Sequence, residues 1–243
     1  MNKRGYQKYL EEIYDGYGIK GLFTKIARKH KKLFKLYLRL TNISVKKLTA
    51  IDNINEDNLK VLDIGCGTGS TLLYIHEFIN KNAKFYGVDL EKNQYLPDFV
   101  KFEICDIENQ NLPFEDESFD IVLSNFVIEH LRKPERLFEE AKRVLKKGGS
   151  FYCSTEYYVS LFTPDYWNFF SDPTHIRPWT KRGFYALAKI TGFEVCRIGV
   201  IRWWEFLPLL PFFPFLNLVS KSNFSFIPYE IPGRTVYIIA RKP

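Results

Sequence analysis

Three ionisable side chains lie close together in the segment FSDPTHIRPWT, residues 170–180: Asp172, His175 and Arg177. A histidine beside a carboxylate can act as a general base, because its ordinary pKa lies near neutral pH. The same residues can instead form a structural turn, in which Asp172 caps the backbone and Arg177 makes a salt bridge. We predict that His175 is the general base and that Asp172 belongs to the same catalytic group.

A second histidine, His130, follows a predicted strand in the segment NFVIEHL. We predict it as a further catalytic residue, with an orienting or packing role as the alternative. His30 and His76 lie within predicted helices, where a structural or solvated side chain is the simpler interpretation. The four cysteines are widely spaced and form no CxxC pair, so they indicate neither a zinc site nor a disulfide framework, and we expect no metal.

The segment VLDIGCGTGS, residues 61–70, is typical of a strand that ends in a glycine-rich turn and opens a helix. Glycines at alternate positions let the backbone turn sharply and approach a nucleotide-type cofactor closely. A tight strand-to-helix turn without a ligand would have the same pattern. Two carboxylates favour the cofactor: Asp89 ends the second predicted strand, where it can accept hydrogen bonds from both ribose hydroxyls, and Asp106 follows the third.

Short apolar runs alternate with helical patterns along most of the chain. The predicted strands are residues 60–64, 84–90, 100–104, 119–125, 149–155, 193–200 and 235–242. The predicted helices are residues 70–79, 134–145 and 180–190, and the Gly148-Gly149 pair is expected to end the second of them. The first five strands lack polar alternation, which is typical of strands buried on both faces. The alternation predicts an α/β fold with a doubly wound, mostly parallel, seven-stranded sheet.

These motifs, in this order, resemble the class I S-adenosylmethionine-dependent methyltransferases, and the resemblance extends over residues 60–156. The matching segments are DIGCGTG, VDL, CDIENQNLPFEDESFDIVLSN and EAKRVLKKGGSFYCST. The spacing GCGTG departs from the GxGxxG of nicotinamide-dependent dehydrogenases, the main rival for such a loop. The resemblance implies S-adenosylmethionine as the cofactor and a Rossmann-like methyltransferase sheet.

The resemblance also implies which residues would hold this cofactor. Those on the side of its methionine part are Asp63, Gly65, Cys66, Gly67 and Gly69 in the glycine loop, with Asn125 and Phe126 beside the sulfonium. Those on the side of its ribose and adenine are Asp89, Leu90, Asp106 and Ile107. Because a sulfonium methyl is already activated, such a protein mainly has to hold a nucleophile in line with it and exclude water.

We predict two parts of the chain: an N-terminal, basic helical extension, residues 1–57, and a methyltransferase domain, residues 58–243. Within the domain, residues 156–180 form an aromatic substrate loop and residues 201–232 a hydrophobic insertion before the last strand. The net charge of the chain is +7, and residues 20–47 contain ten Lys or Arg and no Asp or Glu. Apolar residues recur in this basic segment at helical spacing, which predicts an amphipathic helix. That helix can cover the core, meet an anionic membrane surface or bind a nucleic-acid backbone.

The insertion contains WWEFLPLLPFFPF, residues 203–215, with one charge and three prolines. The prolines exclude a continuous helix, and the apolar run is too short to span a bilayer. It can close as a lid over the substrate site, or its tryptophans can enter the membrane interface beside the basic helix. Since the N-terminus lacks the pattern of a signal peptide, we expect a cytoplasmic protein. If the insertion and the basic helix meet lipid, they do so at the inner face of the membrane.

The DPTHxR loop is similar to loops of methyltransferase-like proteins in glycan and lipid-linked saccharide assembly. That similarity predicts O-methylation of a saccharide, which can be lipid-linked, or of a lipid-like hydroxyl, so the partner is a small-molecule or lipid-linked acceptor. RNA or a soluble small molecule is an alternative acceptor. However, the segment SNFVIEH after the fourth strand lacks the (N/D)PP(Y/F) motif of many base methyltransferases, which disfavours nucleic acid. A non-catalytic cofactor-binding scaffold is a further alternative.

Overall fold

In a computed structural model of the chain, the described residues are 45–163, 168–202, 211 and 233–243. The strands are β1 (Lys60–Ile64), β2 (Lys84–Asp89), β3 (Val100–Ile104), β4 (Phe119–Asn125), β5 (Leu145–Glu156), β6 (Glu194–Ile201) and β7 (Thr235–Arg241). The α-helices are α1 (Ser70–Phe78), α2 (Pro134–Val144) and α3 (Lys181–Ile190). Short 3₁₀ helices lie at Val45–Ala50, Ile128–His130, Tyr158–Phe162 and Phe169–Ser171.

The seven strands belong to one sheet with the order β3-β2-β1-β4-β5-β7-β6. Four pairs of neighbouring strands are parallel: β1 with β2, β1 with β4, β2 with β3, and β4 with β5. β7 is antiparallel to both of its neighbours, β5 and β6. The predicted mostly parallel, seven-stranded sheet is therefore confirmed. Because β1, β2 and β4 run in the same direction, the residues that follow them meet at one edge of the sheet, where ligands bind in open α/β folds.

The central strands are buried on both faces, as their lack of polar alternation predicts. In β4, Val122 packs into one apolar cluster with Phe138 and Phe151, whereas Ile121 packs into another with Phe85. Phe138 of α2 meets Phe151 of β5 edge to face, with ring centroids 5.0 Å apart. Each fully buried side chain of this size contributes about 1.5–3 kcal/mol to stability. The two clusters therefore hold β4, and the residues that follow it, in a fixed position.

The start of β5 differs from the sequence prediction. We expected a helix up to residue 145 and a strand from residue 149, separated by the two glycines. Instead β5 begins at Leu145, which pairs with Phe119 of β4 before the register shifts. Leu145 joins the strand because its side chain is completely buried in the core. Gly148, with φ 74°, lies within this irregular part of the strand, so the glycines form a bulge and do not end the helix.

The predicted basic helix in residues 20–47 lies almost entirely outside the described residues. Of the predicted insertion, only residues 201, 202 and 211 are described. No described helix combines the length and the apolar surface needed to cross a membrane.

Candidate active site

Two glycines in the loop between β1 and α1 differ in the space around their Cα atoms. Gly65 has φ 73°, and a side chain at this position would collide with Val127. Gly67 has φ 50°, and no atom lies within 4 Å of the place that a Cβ would take. Both backbone conformations lie in the left-handed region that favours glycine. Gly65 thus lets the segment after β4 lie directly on the loop, and Gly67 leaves the backbone open to a ligand.

A cavity of about 240 Å³ opens at this loop. Its lining residues are Asp63, Gly65, Cys66, Gly67, Thr68, Ser70, Thr71, Asn125 and Phe126. The predicted cofactor residues that lie outside this lining are Gly69, Asp89, Leu90, Asp106 and Ile107. Cys66 contributes mainly its backbone, because its side chain is buried against Gly87. The lining residues that we did not predict are Thr68, Ser70 and Thr71, and their hydroxyls directly beside the glycines are the signal that could have found them.

Asp63 lines the cavity and is only 2% exposed. Its Oδ1 has no hydrogen-bond partner among the described residues. Burial, together with the charge of Asp89, raises the pKa of Asp63 well above its ordinary value. A positively charged ligand group, such as the ammonium group of a methionine moiety, would compensate this carboxylate. The residues present therefore fit the methionine part of S-adenosylmethionine.

Asp89 joins the end of β2 to the glycine loop. Its Oδ2 accepts a hydrogen bond from the backbone N–H of Gly67 at 2.8 Å, and its Oδ1 accepts one from that of Leu90 at 2.7 Å. Burial raises the pKa of Asp89, although these two N–H donors oppose the shift. Each oxygen keeps a further lone pair, so the predicted bonds to ribose hydroxyls are compatible with this arrangement.

Asp106 caps the turn that follows β3. Its Oδ1 accepts a hydrogen bond from the backbone N–H of Glu108 at 3.2 Å, and its Oδ2 accepts one from Asn109 Nδ2 at 3.1 Å. Ile107 is buried, and its carbonyl accepts a hydrogen bond from Arg136 Nε of α2 at 3.2 Å. The roles of Asp106 and Ile107 toward an adenine ring stay predictions.

Asn125 and Phe126 bring the end of β4 to the cavity. Ser154 Oγ donates to Asn125 Oδ1 at 2.6 Å, and Asn125 Nδ2 donates to Thr71 Oγ1 at 3.4 Å. Phe126 has φ 55°, which is uncommon for a residue with a side chain, and its ring is 43% exposed. Backbone strain of this kind is concentrated at ligand sites. The end of β4 therefore presents one fixed amide and one exposed ring to a ligand.

The two predicted catalytic histidines lie close together in the structure, and His130 follows Phe126 by four residues in the chain. His130 ends the 3₁₀ helix Ile128–His130, and His175 lies in the loop between β5 and α3. The backbone N–H of Ile176 donates to the carbonyl of Glu129 at 2.8 Å, which ties this loop to the 3₁₀ helix. As a result, the centroids of the two imidazole rings are 4.8 Å apart.

Hydrogen bonds determine which ring nitrogen of each histidine carries the proton. The Thr174 hydroxyl donates to Asp172 Oδ1 at 2.6 Å, so its oxygen accepts from His130 Nδ1 at 2.8 Å. His175 Nδ1 donates to the carbonyl of Phe169 at 2.7 Å. In the neutral form of each ring, Nε2 therefore keeps its lone pair. Burial, together with the proximity of His175, lowers the pKa of His130 to about 4, so His130 is neutral at physiological pH.

Asp172 caps a turn, as the structural interpretation expects, and its catalytic role stays a prediction. Its Oδ1 accepts a hydrogen bond from the backbone N–H of Thr174 at 2.8 Å, which caps the turn. Its Oδ2 lies 4.0 Å from His175 Nε2. Arg177 Nη2 donates to the carbonyl of Arg132 at 3.2 Å, so its guanidinium serves to hold the loop.

Glu129 belongs to the same cluster, although it is not among the predicted site residues. It is completely buried, and neither carboxylate oxygen has a hydrogen-bond partner in the part of the chain that the structure describes. Burial raises its pKa to about 8. Ligand atoms of Glu129, His130 and His175 all lie within 4.8 Å of one another. In the sequence, only the position of Glu129 directly before His130 could have identified it. The burial of its carboxyl beside two imidazoles arises only in the tertiary fold.

The chain is similar to known methyltransferases. Residues 62–153 match the family model described as methyltransferase domain. The chain is 33% identical over 104 residues to a sterol 4-C-methyltransferase of Caenorhabditis elegans, covering 39% of this chain and 30% of the relative. It is 28% identical to a demethylmenaquinone methyltransferase of Alkalihalophilus pseudofirmus, with coverages of 54% and 63%. It is 32% identical to a thiol S-methyltransferase of Homo sapiens, with coverages of 62% and 66%. The chain thus spans between 30% and 66% of the length of these relatives.

Solved structures show the same architecture. A chain from the complex between the Haloferax volcanii Trm112 methyltransferase activator and a methyltransferase matches with a TM-score of 0.64 at 18% identity, covering 98% of this chain and 94% of the other. The geranyl diphosphate C-methyltransferase of Streptomyces coelicolor matches with a TM-score of 0.60 at 18% identity, with coverages of 84% and 80%. At these identities the likeness establishes the fold. Residues 62–153 therefore match a methyltransferase domain, and the described residues have the class I methyltransferase fold. The family model and the solved structures also support S-adenosylmethionine as the cofactor.

Proposed function

We propose that this protein transfers the methyl group of S-adenosylmethionine to a hydroxyl group of an amphiphilic acceptor, which is a lipid-like alcohol or a saccharide carried on a lipid. The observation that carries this proposal is the pair His130 and His175, each with a free Nε2 lone pair. Neither histidine lines the cavity, but the 3₁₀ helix that ends at His130 follows the cavity-lining Phe126 along the chain. An alcohol is a poor nucleophile while it is protonated, so O-methylation benefits from a neutral imidazole. The arrangement therefore favours a hydroxyl as the acceptor.

Some side chains at this edge of the sheet would hold the cofactor, and others would take the proton of the acceptor. S-adenosylmethionine supplies a methyl group on a positively charged sulfur, which keeps the S–C bonding pair when the methyl group is transferred. Asp63 and the glycine loop would hold its methionine part, and Asp89 its ribose. As the acceptor oxygen forms its bond to the methyl carbon, the hydroxyl proton passes to Nε2 of His175 when that nitrogen carries no other ligand. The Phe169 carbonyl keeps the bond to Nδ1, and the Asp172 carboxylate, 4.0 Å away, stabilises the imidazolium.

Exposed apolar side chains on the segments that carry the histidines support an amphiphilic acceptor. They are Phe126, Tyr158, Phe162, Phe170 and Ile176, all on the segments that follow β4 and β5. Apolar surface next to a site with a few convergent polar groups is typical of a pocket for an apolar ligand. The names of the relatives and of the structural neighbour point to a sterol, a demethylated menaquinone and geranyl diphosphate. Each of these molecules combines an apolar body with a polar group.

Methyl transfer into an extract of the source cells tests this proposal. The purified protein is incubated with the extract and with S-adenosylmethionine labelled in its methyl group, and lipid, water-soluble and RNA fractions are then separated. We expect label in the lipid fraction and none with heat-inactivated protein. Label confined to RNA or to lipid-free soluble molecules would contradict the proposed acceptor. Absence of label from all fractions would contradict methyl transfer itself.

A further inference from the structure

We propose that Glu129, His130 and His175 form a binding site for a divalent transition-metal ion, which holds the oxygen of the acceptor. The use of this ion rests on the proposed function, but its binding does not. The three side chains offer one carboxylate oxygen and two imidazole nitrogens within 4.8 Å of one another. Such a donor set suits Zn²⁺, Fe²⁺ and Co²⁺. The expectation of no metal was based on the cysteines, and this cluster contains none of them.

The histidines are oriented as metal ligands usually are. A metal-bound imidazole commonly donates its other ring N–H to a carbonyl, a carboxylate or another fixed acceptor, which fixes the ring and its tautomer. His175 Nδ1 donates to the Phe169 carbonyl at 2.7 Å, and His130 Nδ1 donates to Thr174 Oγ1 at 2.8 Å. Thr174 in turn donates to Asp172 at 2.6 Å. Both Nε2 atoms are therefore left free to bind an ion.

Glu129 supplies an independent observation. It is completely buried, and neither carboxylate oxygen has a hydrogen-bond partner in the described ranges. The Thr155 hydroxyl and the backbone N–H groups of Glu129 and Glu156 lie near this carboxyl and favour its ionised form, but none of them meets hydrogen-bond geometry. A buried carboxylate without a partner is costly unless a cation or a proton compensates its charge. A metal ion held by Glu129 and by one nitrogen of each imidazole would provide that compensation.

The size of the cluster allows an ion after a small contraction. Bonds of about 2.0–2.2 Å in a tetrahedral site place the ligand atoms roughly 3.3 Å apart. The present separations of up to 4.8 Å must therefore shorten by about 1–1.5 Å, which side-chain rotation can supply. Three protein ligands leave one coordination position open, as in catalytic rather than structural metal sites. That position can accept the oxygen of an alcohol.

The bound ion would change the route of the proton. An alcohol oxygen on a divalent ion is more acidic, because the ion stabilises the alkoxide. With its Nε2 on the ion, His175 is a ligand and cannot take the proton. The proton then passes to Asp172, whose Oδ2 lies 4.0 Å from His175 Nε2. The alkoxide oxygen forms its bond to the methyl carbon, and the sulfur keeps the electron pair of the broken S–C bond.

Titration with Co²⁺ tests the site directly, since this ion has visible absorption bands that report its ligands. We expect the wild-type protein to bind one Co²⁺ per chain saturably, and Zn²⁺ to displace it. His130→Ala, His175→Ala and Glu129→Gln should each weaken binding at least about tenfold, and Thr174→Val about 10- to 100-fold because it releases the His130 ring. His76→Ala is the matched control: His76 lies on α1 and stacks on Phe99, outside the cluster, so binding should not change.

Two further measurements separate the possible outcomes. Each variant is first shown to bind S-adenosylmethionine as the wild type does, so that a loss of Co²⁺ binding is not a loss of the fold. Failure of the folded wild type to bind Co²⁺ saturably, or an equal loss in His76→Ala, would overturn the site. Methyl transfer that persists in full after chelation would overturn the role of the ion and leave His175 as the base. If Co²⁺ binds as expected but no hydroxyl is methylated, the proposed function fails while the site stands.

Discussion

Asp63 and Asp120 lie on the neighbouring strands β1 and β4 and differ in their partners. Asp120 Oδ2 accepts a hydrogen bond from the backbone N–H of Lys60 at 2.9 Å, and its Oδ1 pairs with Lys146 Nζ at 2.6 Å. Asp63 is 2% exposed, and its Oδ1 has no partner among the residues that the structure describes. One carboxylate therefore stabilises the sheet, whereas the other is kept at a cost in stability beside the cavity.

The same chemical change at these two positions should have opposite effects. Asp63→Asn removes a buried charge and should raise the free energy of unfolding by about 1–3 kcal/mol at pH 8, whereas Asp120→Asn should lower it. The pKa of Asp63 is raised in the folded protein. The ionised carboxylate therefore lowers the free energy of unfolding more strongly as pH rises from the ordinary carboxyl pKa toward the raised value. The increase in the free energy of unfolding caused by Asp63→Asn should therefore become smaller toward pH 4. Urea unfolding at both pH values measures it, and Asp63→Asn should also weaken S-adenosylmethionine binding. Equal signs for the two variants would contradict this account.

His175 is the residue on which the proposed chemistry depends most. His175→Ala should lower kcat about 10²- to 10⁴-fold, the range for loss of a general acid or base, and leave the Kd for S-adenosylmethionine unchanged. His76→Ala should leave both constants near the wild-type values. Turnover and equilibrium binding of the cofactor are measured in parallel. Near-normal turnover of His175→Ala with intact cofactor binding would show that the assignment is wrong.

At the scale of elements, α2 holds the segment between β3 and β4. Arg143 donates two hydrogen bonds to Glu140, at 2.9 and 2.8 Å, and one each to the carbonyls of Leu112 and Phe114. Glu140 also accepts a hydrogen bond from the backbone N–H of Leu112 at 2.7 Å. Asp106 and Ile107, the predicted adenine contacts, lie near the start of this segment. These hydrogen bonds of Arg143 and Glu140, which we call the Arg143–Glu140 clamp, therefore link the stability of α2 to the cofactor site.

Two adjacent glutamates on α2 provide a matched test of this clamp. Glu140→Gln replaces a buried, ion-paired carboxylate and should lower the free energy of unfolding by about 1–3 kcal/mol at pH 7. Glu139→Gln changes an exposed side chain on the same helix, so its effect should stay within about 0.5 kcal/mol. Although burial opposes ionisation, the hydrogen bonds from Arg143 lower the pKa of Glu140. Its contribution is therefore present above the ordinary carboxyl pKa and lost as pH falls, so the two variants should converge in acid. Equal destabilisation at pH 7 would contradict the clamp.

Most elements could be predicted because the local pattern and the tertiary structure agree. The apolar runs of β1 and β4 are buried on both faces, and the glycine pattern after β1 has the backbone angles that it suggests. The prediction failed at Leu145, where packing in the core overrides the expected glycine stop. It also missed Glu129, since its burial depends on a loop that arrives from beyond β5. Long-range contacts of this kind leave no periodic signal in the sequence.

At the scale of the whole molecule, one edge of the sheet holds the cavity and the histidine cluster together. The cavity is built from the residues after β1 and β4, and the cluster adds the loop after β5. The predicted membrane contacts, the basic helix and residues 203–215, lie almost entirely outside the described residues. An acceptor within a membrane would have to reach this edge of the sheet, so we expect those segments to lie at the membrane surface.

Flotation with liposomes tests the predicted membrane contact. The wild-type protein should float with vesicles that contain anionic lipid, and replacement of Trp203 and Trp204 by serine should lower the floating fraction several-fold. Replacement of the same pair by phenylalanine should largely preserve flotation, because an aromatic ring still enters the interface. Equal flotation of the wild type and the serine variant would exclude this contact.

The most direct test of the central claim is the bond that the transferred methyl group forms. The protein is incubated with the lipid fraction and with S-adenosylmethionine carrying ¹³C in its methyl group, and the labelled product is examined by ¹H–¹³C NMR. Transfer to a hydroxyl predicts a methoxy signal, with a carbon shift characteristic of attachment to oxygen. A signal of a methyl group on carbon, sulfur or nitrogen would contradict the account and remove the need for a base or a metal ion that activates an alcohol.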